Sequence, residues 1–296
     1  NARGRAPVIR EVAAPGRDLR DEILALLGRV AEHDGVAAVG EAGLLELRAP
    51  LHAPTHLLAH HGDTLAGYAW TDGTTAEVAV APEWRRRGYG TALLRRVLAA
   101  GVAVWAHGTL PPAVALARSL GLTATRALWH MTWEPADVVV PPLPAGLTVR
   151  PFGADDAAAW VALNARVFAD HPEQGRWTAA DLAARTTEPW FDPSDLLLVE
   201  AGETLVGYGW LKRVGDEAEV YVLGVAPEHQ RRGVAAHLLG RMAARAVAAG
   251  ARALTLHVEG DNLTAIRSYE RSGFRHDSTD TQFMVAAPGP GIGQVR

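Results

Sequence analysis

Part of this chain is written twice, and an internal repeat restricts the available folds more than any single motif does. Asp63-Thr-Leu-Ala-Gly-Tyr-Ala-Trp70 returns as Glu203-Thr-Leu-Val-Gly-Tyr-Gly-Trp210. Val80-Ala-Pro-Glu-Trp-Arg-Arg-Arg-Gly-Tyr-Gly90 returns as Val225-Ala-Pro-Glu-His-Gln-Arg-Arg-Gly-Val-Ala235, and Arg118-Ser-Leu-Gly-Leu122 as Glu270-Arg-Ser-Gly-Phe274. The blocks keep their order, so the 296 residues are expected to form two copies of one unit in tandem. Between the copies, residues 134–146 hold Pro135, Pro141, Pro142 and Pro144, a composition that cannot sustain a helix and favours a stiff, extended linker. The sequence boundaries are therefore 1–139 for the first domain, 140–146 for the Pro-rich linker and 147–296 for the second domain.

Hydrophobic periodicity gives both halves the same plan. In the second, strands are expected at 147–152, 196–200, 205–214, 219–225 and 253–259, with 282–286 closing the sheet. Helices are expected at 156–168, from about 231 to 249, and at 264–272, the last stopped by Gly273. Strands interleaved with helices predict an α/β fold, a mixed sheet flanked by helices in each domain.

Composition removes several classes of function. The net charge of −4 offers no basic field for nucleic acid or anionic lipid. With no Cys there are no disulfides, thiolate nucleophiles or Cys-based zinc sites, which fits a reducing cytoplasm. The twelve His form no H-x-x-x-H pattern on an expected helix, so no metal is expected. Residues 97–117 lack Asp, Glu, Lys and Arg and are long enough to span a bilayer, but Gly101, His107, Gly108, Pro111 and Pro112 break them, so no membrane span is expected. Residues 1–18 are Arg-rich without an apolar core and do not read as a signal peptide.

The strongest local motif is Gln230-Arg-Arg-Gly-Val-Ala235, after an apolar strand and before an amphipathic helix; its first-half counterpart is Arg85-Arg-Arg-Gly-Tyr-Gly90. The first turn of a helix has unpaired N–H groups carrying partial positive charge, and a small residue lets a pyrophosphate reach them. Two such cradles at the same offset from a Val-rich strand resemble the Gcn5-related N-acetyltransferase (GNAT) superfamily, whose pyrophosphate motif is (Gln/Arg)-x-x-Gly-x-(Gly/Ala). The second half also matches that superfamily's later motif through Asn262, Ala265, Tyr269, Gly273 and Phe274. The resemblance implies that Asn262 and the following helix line the pantetheine arm and that Tyr269 faces the thioester sulfur.

An amine attacking a thioester must be neutral, so a base or ordered water must take its proton, and the leaving thiolate needs an acid. Tyr269 is the candidate acid. Glu219 is the candidate base: the two-residue strand period puts it on one face with Tyr221 and Leu223, upstream of the cradle. The first half lacks this equipment. Ala117 stands where Tyr269 stands, His107-Gly-Thr-Leu-Pro-Pro112 replaces the Asn262 region, and Glu77 falls opposite Val222 rather than Glu219. It is therefore expected to be an inactive domain with a cofactor-binding or structural role.

Further blocks narrow the resemblance: Asp34-Gly-Val-Ala-Ala-Val-Gly-Glu41, Trp105-Ala-His-Gly-Thr-Leu110, His171-Pro-Glu-Gln-Gly175, Trp190-Phe-Asp-Pro193 and Glu219-Val-Tyr-Val-Leu-Gly-Val225. With them the chain resembles, over nearly its whole length, the mycothiol synthase family of tandem acetyltransferases. That implies acetyl transfer from acetyl-CoA to the cysteinyl amine of cysteinyl-glucosaminyl-inositol, the last step of mycothiol biosynthesis, by a monomer. It further implies substrate contacts at Glu41, Glu173, Lys212 (the chain's single lysine) and Glu219. Position 257, a Tyr in the family pattern, is His257 here, which puts that contact in doubt. The active acetyl-CoA site it implies consists of Leu223, Gly224 and Val225, then Gln230, Arg231, Arg232, Gly233, Val234, Ala235 and Ala236, then Asn262, Leu263, Thr264, Ala265, Ile266 and Arg267. The first-half cofactor site is Val78, Ala79 and Val80 with Arg86, Arg87, Gly88, Tyr89, Gly90 and Thr91. Two other readings fit the residues: a tandem acetyltransferase for another polar amine such as an aminosugar or aminoglycoside, and a non-catalytic acyl-CoA-binding sensor.

Overall fold

A computed structural model describes residues 7–134, 138–171 and 174–285. The chain forms two compact units, the first comprising residues 1–128, 259–261 and 278–296 and the second 129–258 and 262–277. The units do not coincide with the sequence boundaries 1–139, 140–146 and 147–296. Residues 129–134, at the end of the first repeat, pack in unit 2, and residues 278–285, at the end of the second, pack in unit 1.

The chain runs β1 (Ile9–Val12), α1 (Arg17–Asp34), α2 (Glu41–Arg48), β2 (Thr55–His61), β3 (Thr64–Thr71), β4 (Thr75–Val80), α3 (Tyr89–Leu98), β5 (Ala103–Ala106), α4 (Pro111–Ser119) and β6 (Leu122–Trp133). It continues through β7 (Thr148–Pro151), α5 (Ala157–Val167), α6 (Ala179–Thr186), β8 (Leu196–Ala201), β9 (Thr204–Val214), β10 (Glu217–Val225), α7 (Val234–Ala248), β11 (Ala253–Glu259), α8 (Leu263–Arg271) and β12 (Arg275–Val285).

In unit 1 the strands lie in the order β1-β2-β3-β4-β5-β12-β6. All pairs with a register there are antiparallel except β4 with β5, which are joined through α3. The expectation that residues 282–286 close the sheet of the second half is corrected here. Gln282 and Phe283 pair with Trp105 and Val104 of β5, in unit 1; Ala286 lies outside the described residues. Sequence period alone cannot choose which neighbour a terminal strand joins, because an alternating strand buries its apolar face equally well beside either.

Unit 2 repeats the arrangement as β6-β11-β10-β9-β8-β7, with β10 and β11 parallel through α7. Its core gathers Trp160, Tyr208 and Trp210, all fully buried, with Leu238 and Met242 of α7. Along β10, Ala218, Val220 and Val222 are buried while Glu219 and Tyr221 are half-buried. The Pro-rich segment does not hang free. Val139 and Val140 lie so close to Gly240 of α7 that a Cβ there would meet the Val139 carbonyl at 2.8 Å, and His237 Nδ1 lies 2.7 Å from the Pro141 carbonyl oxygen.

Candidate active site

In both units the parallel strand pair comes apart before the cradle. The β4/β5 register ends at Glu77↔Trp105, and that of β10/β11 ends at Val220↔Leu256, although both members of each pair run on. The strand ends beyond, Val78 to Val80 and Leu223 to Val225, are thereby freed from their parallel neighbour. Backbone groups released in this way need partners, and an extended amide-bearing arm such as pantetheine supplies them.

The cradle follows in matching geometry. Gly88 (φ 93°) and Gly233 (φ 96°) are the N-caps of α3 and α7, and neither helix start receives a side-chain cap. The residue two before each glycine, Arg86 (φ 62°) and Arg231 (φ 58°), is also left-handed, a strained state for a residue with a Cβ. A Cβ on Gly88 or Gly233 would meet nothing within 4 Å, so the left-handed turn, not crowding, calls for glycine there. Gln230 does not point its amide into the cradle. Its Nε2 donates to Val225 O at 3.1 Å, and Arg85 Nε likewise donates to Val80 O at 3.1 Å, so the first motif residue ties loop to strand in both units. The first-turn N–H groups of both helices thus remain available to an anion.

On unit 2, β9, β10 and β11 bring together three of the expected substrate residues. Lys212 and Glu219 are register partners. His257 Nδ1 lies 2.9 Å from Glu219 Oε1, and the His130 and His257 rings meet edge to face with centroids 3.9 Å apart. Burial alone would raise the Glu219 pKa. The hydrogen bond from His257, with the charges of His257, Lys212 and His130, outweighs it and holds the carboxyl below its ordinary value. The Lys212 ammonium lies over Trp190 at 5.0 Å and Tyr221 at 5.3 Å, both within cation–π range.

A β-bulge corrects part of the sequence reading. Val220 pairs with Leu211 but Val222 with Trp210, so Tyr221 is the extra residue. Glu219 and Tyr221 remain on the face of Lys212 and Trp210. Leu223, expected there too, pairs with Gly209, whose side-chain direction points at Leu238 and Met242 of α7. The bulge turns it over.

Tyr269 stands on α8, its ring edge-on to Phe274 at 5.9 Å, and burial pushes its pKa up to about 12. It is a neutral phenol at physiological pH, the form an acid requires. Asn262 is the N-cap of α8, where its side chain accepts from the Ala265 N–H at 3.1 Å. Glu41 opens α2 in unit 1, and Glu173 lies outside the described residues. Sequence reasoning put Tyr221 on the face of Glu219 but missed His130 and Trp190 as neighbours of the charged group. No local signal marks His130, because its place depends on β6 lying beside β11.

Unit 1 fills the corresponding region differently. Glu77 accepts from the Gly40 N–H at 3.0 Å and from Trp70 Nε1, and lies 2.6 Å from His107 Nε2. The other His107 nitrogen meets Asp280 at 2.7 Å. Burial opposes charge on His107, but the bonds to Asp280 and Glu77 outweigh it and push its pKa up to about 10. Both ring nitrogens are then committed donors, and this imidazolium cannot act as a base. A cavity of about 440 Å³ runs past it from the cradle, lined by Val80, Gly88, Leu116 and Ala117 among others.

Two cradles, each behind a parting strand pair, define a tandem acyltransferase of the GNAT type. The acetyltransferase (GNAT) family model matches residues 161–274 and a second acetyltransferase (GNAT) domain model matches 52–122. Among solved structures, a tandem GNAT protein from the clavulanic acid biosynthesis pathway superposes with a TM-score of 0.72 at 19% identity, covering 94% of this chain and 97% of that one. A GCN5-related N-acetyltransferase from Sphaerobacter thermophilus gives 0.67 at 21%, covering 93% and 94%. At these identities the structures speak for the fold alone.

Closer relatives exist in sequence. A mycothiol acetyltransferase of Kineococcus radiotolerans is 46% identical, covering 93% of this chain and 95% of that protein, and one of Sanguibacter keddieii is 44% identical, covering 86% and 90%. The chain belongs to the mycothiol acetyltransferase family, and it is an acetyl-CoA-dependent N-acetyltransferase. Among the described residues no helix is long and apolar enough to cross a membrane, and no cluster of His, Asp and Glu could hold a metal ion.

Proposed function

We propose that unit 2 transfers acetyl from acetyl-CoA to the cysteinyl amine of cysteinyl-glucosaminyl-inositol, completing mycothiol. The observation that carries this reading is the Lys212–Glu219–His257 group at the head of the split between β10 and β11, in the unit that also holds an uncapped cradle and Tyr269. A polyhydroxylated amine offers hydroxyls to Lys212 and His257 and a positive amine to Glu219.

The cradle N–H groups of Val234, Ala235 and Ala236 would hold the pyrophosphate, and the freed backbone of Leu223 to Val225 the pantetheine arm. A backbone N–H in this stretch faces the oxygen on which charge develops. Glu219 draws in the amine and promotes loss of its proton, and Tyr269 protonates the departing sulfur. Substrate contacts at Glu41 and Glu173 rest on the family pattern. In unit 1, where Ala117 replaces the phenol and His107 is locked, acetyl-CoA is held without turnover.

The test is release of CoA thiol and appearance of an acetylated product by mass when the protein is given acetyl-CoA and cysteinyl-glucosaminyl-inositol, beside a panel of aminosugars and aminoglycosides. A kcat/KM higher for any panel amine than for the cysteinyl compound would defeat the substrate assignment.

A further inference from the structure

Glu219 is ionised but held below its ordinary pKa, which makes it a good anchor for a cation and a poor final home for a proton. The residue bonded to it is better suited. Resting on the function proposed above, we propose that His257 is the group that accepts the amine's proton, with Glu219 fixing its tautomer.

Three features of the structure lead there. With Nδ1–H donating to Glu219 Oε1 at 2.9 Å, the tautomer that satisfies the bond leaves the Nε2 lone pair bare, and Nε2 has no hydrogen-bond partner among the described residues. The position is also right. The registered β10/β11 pairs end at Val220↔Leu256, so His257 is the first β11 residue past the last pair, at the head of the split. It shares a face with Thr255, the register partner of Glu219, and its side chain is 36% exposed, open to a small substrate. Finally, the ring is held. Glu219 from β10 grips one nitrogen and the His130 ring from β6 meets it edge to face with centroids 3.9 Å apart, while Lys212 from β9 is the register partner of Glu219. A carboxylate, an imidazole and a bare nitrogen in line are the arrangement by which a carboxylate orients a histidine to take a proton.

The step balances as follows. The amine reacts in its neutral form, having first given its ammonium proton to solvent; its lone pair bonds to the thioester carbonyl carbon and the C=O π pair moves to oxygen. The N–H proton passes to His257 Nε2 while Nδ1–H stays on the Glu219 carboxylate. Collapse of the oxyanion breaks the C–S bond, and the sulfur leaves with the electron pair and takes the Tyr269 O–H proton. His257 then releases its proton to solvent and Tyr269 regains one.

The test uses the full chain with acetyl-CoA and the cysteinyl substrate, comparing His257→Gln and His257→Tyr with the parent. His257→Gln should lower kcat on the order of 10²–10⁴-fold and remove the acidic limb of the kcat–pH profile. His257→Tyr can still hydrogen-bond the substrate, so it should keep KM within about threefold while losing kcat to a similar extent. Added imidazole should restore part of the turnover of His257→Gly. In ¹⁵N-histidine spectra, His257 should carry its proton on Nδ1 in the parent and lose that preference in Glu219→Gln. A His257→Gln variant with parental kcat and a raised KM would reduce His257 to a binding residue, and a proton found on Nε2 would overturn the dyad. If the parent itself released no CoA thiol with this substrate, the function reading would fall and the proposal with it; parental turnover that survives in His257→Gln would sink the proposal alone.

Discussion

The two units share a strand order, a parting parallel pair and a cradle, yet they place their charges in opposite ways. Trp70 and Trp210 occupy the same place in the repeat, and their register partners are Glu77 and Val222. In unit 1 Glu77 turns inward, satisfies Trp70 Nε1 and binds His107, which Asp280 holds from its other side. In unit 2 Val222 leaves Trp210 Nε1 buried without a partner among the described residues. The carboxylate appears instead three residues earlier, at Glu219, past a bulge and about a quarter exposed. One copy has spent its ionisable groups on a sealed network, and the other keeps them where a substrate can reach them. On the function proposed above, activity can be lost from a duplicated domain without loss of fold, by pairing its charges internally and placing Ala117 of α4 where the phenol of α8 stands in the other copy.

The comparison breaks most sharply at the cradle glycines. Gly233→Val forces a β-branched residue to φ near 96° and should abolish turnover, while Gly88→Val at φ 93° should leave kcat near the parental value and weaken acetyl-CoA binding to unit 1. Steady-state kinetics on folded variants decide this, and equal loss of kcat in both would mean that unit 1 takes part in chemistry.

The carboxylates come next. Glu219→Gln should lower kcat on the order of 10²–10⁴-fold with little change in melting temperature. Glu77→Gln should do the reverse, because an amide cannot serve Gly40, Trp70 and His107 at once; breaking this buried pair is expected to cost about 3–5 kcal/mol. Thermal melting beside kcat per folded molecule would expose any crossing of these roles.

A smaller effect belongs to Lys212. Its ammonium is compact enough to sit over Trp190 and Tyr221, a place the planar fork of Arg does not fit in the same way. Lys212→Arg and Lys212→Met should both raise the KM for the amine substrate and leave that for acetyl-CoA nearly unchanged. Parental amine KM in both variants would make Lys212 a bystander.

The gentlest test is pH. His107 has a folded pKa of about 10 against an ordinary 6.5, so the folded state holds a proton that the unfolded chain has released. Its contribution is fully present below about 6.5 and is lost as pH rises through about 10. Glu219, with a lowered pKa, contributes above its ordinary value of 4.5 and loses that contribution as pH falls. The melting temperature of the parent should therefore decline on the alkaline side in a way that His107→Gln abolishes, whereas Glu219→Gln should flatten only the acid side. An alkaline slope that survived in His107→Gln would place its origin elsewhere.

Much of this protein is readable from sequence. The repeat, the mixed sheet, the cradles and the asymmetry between Tyr269 and Ala117 follow from residue types at fixed spacing, because helix starts and left-handed turns are decided within a few residues of chain. The alignment of Glu77 with Val222 is of the same kind, and the strand registers agree with it. Other features depended on which strands lie side by side. Residues 281–283 joined β5, His130 came to face His257, and a bulge at Tyr221 turned Leu223 away from Glu219. Nothing local distinguishes one partner for an alternating strand from another, or marks where a ladder slips by one residue. Those choices are made by the burial of whole sheet faces, and they decided which side chains stand around Glu219.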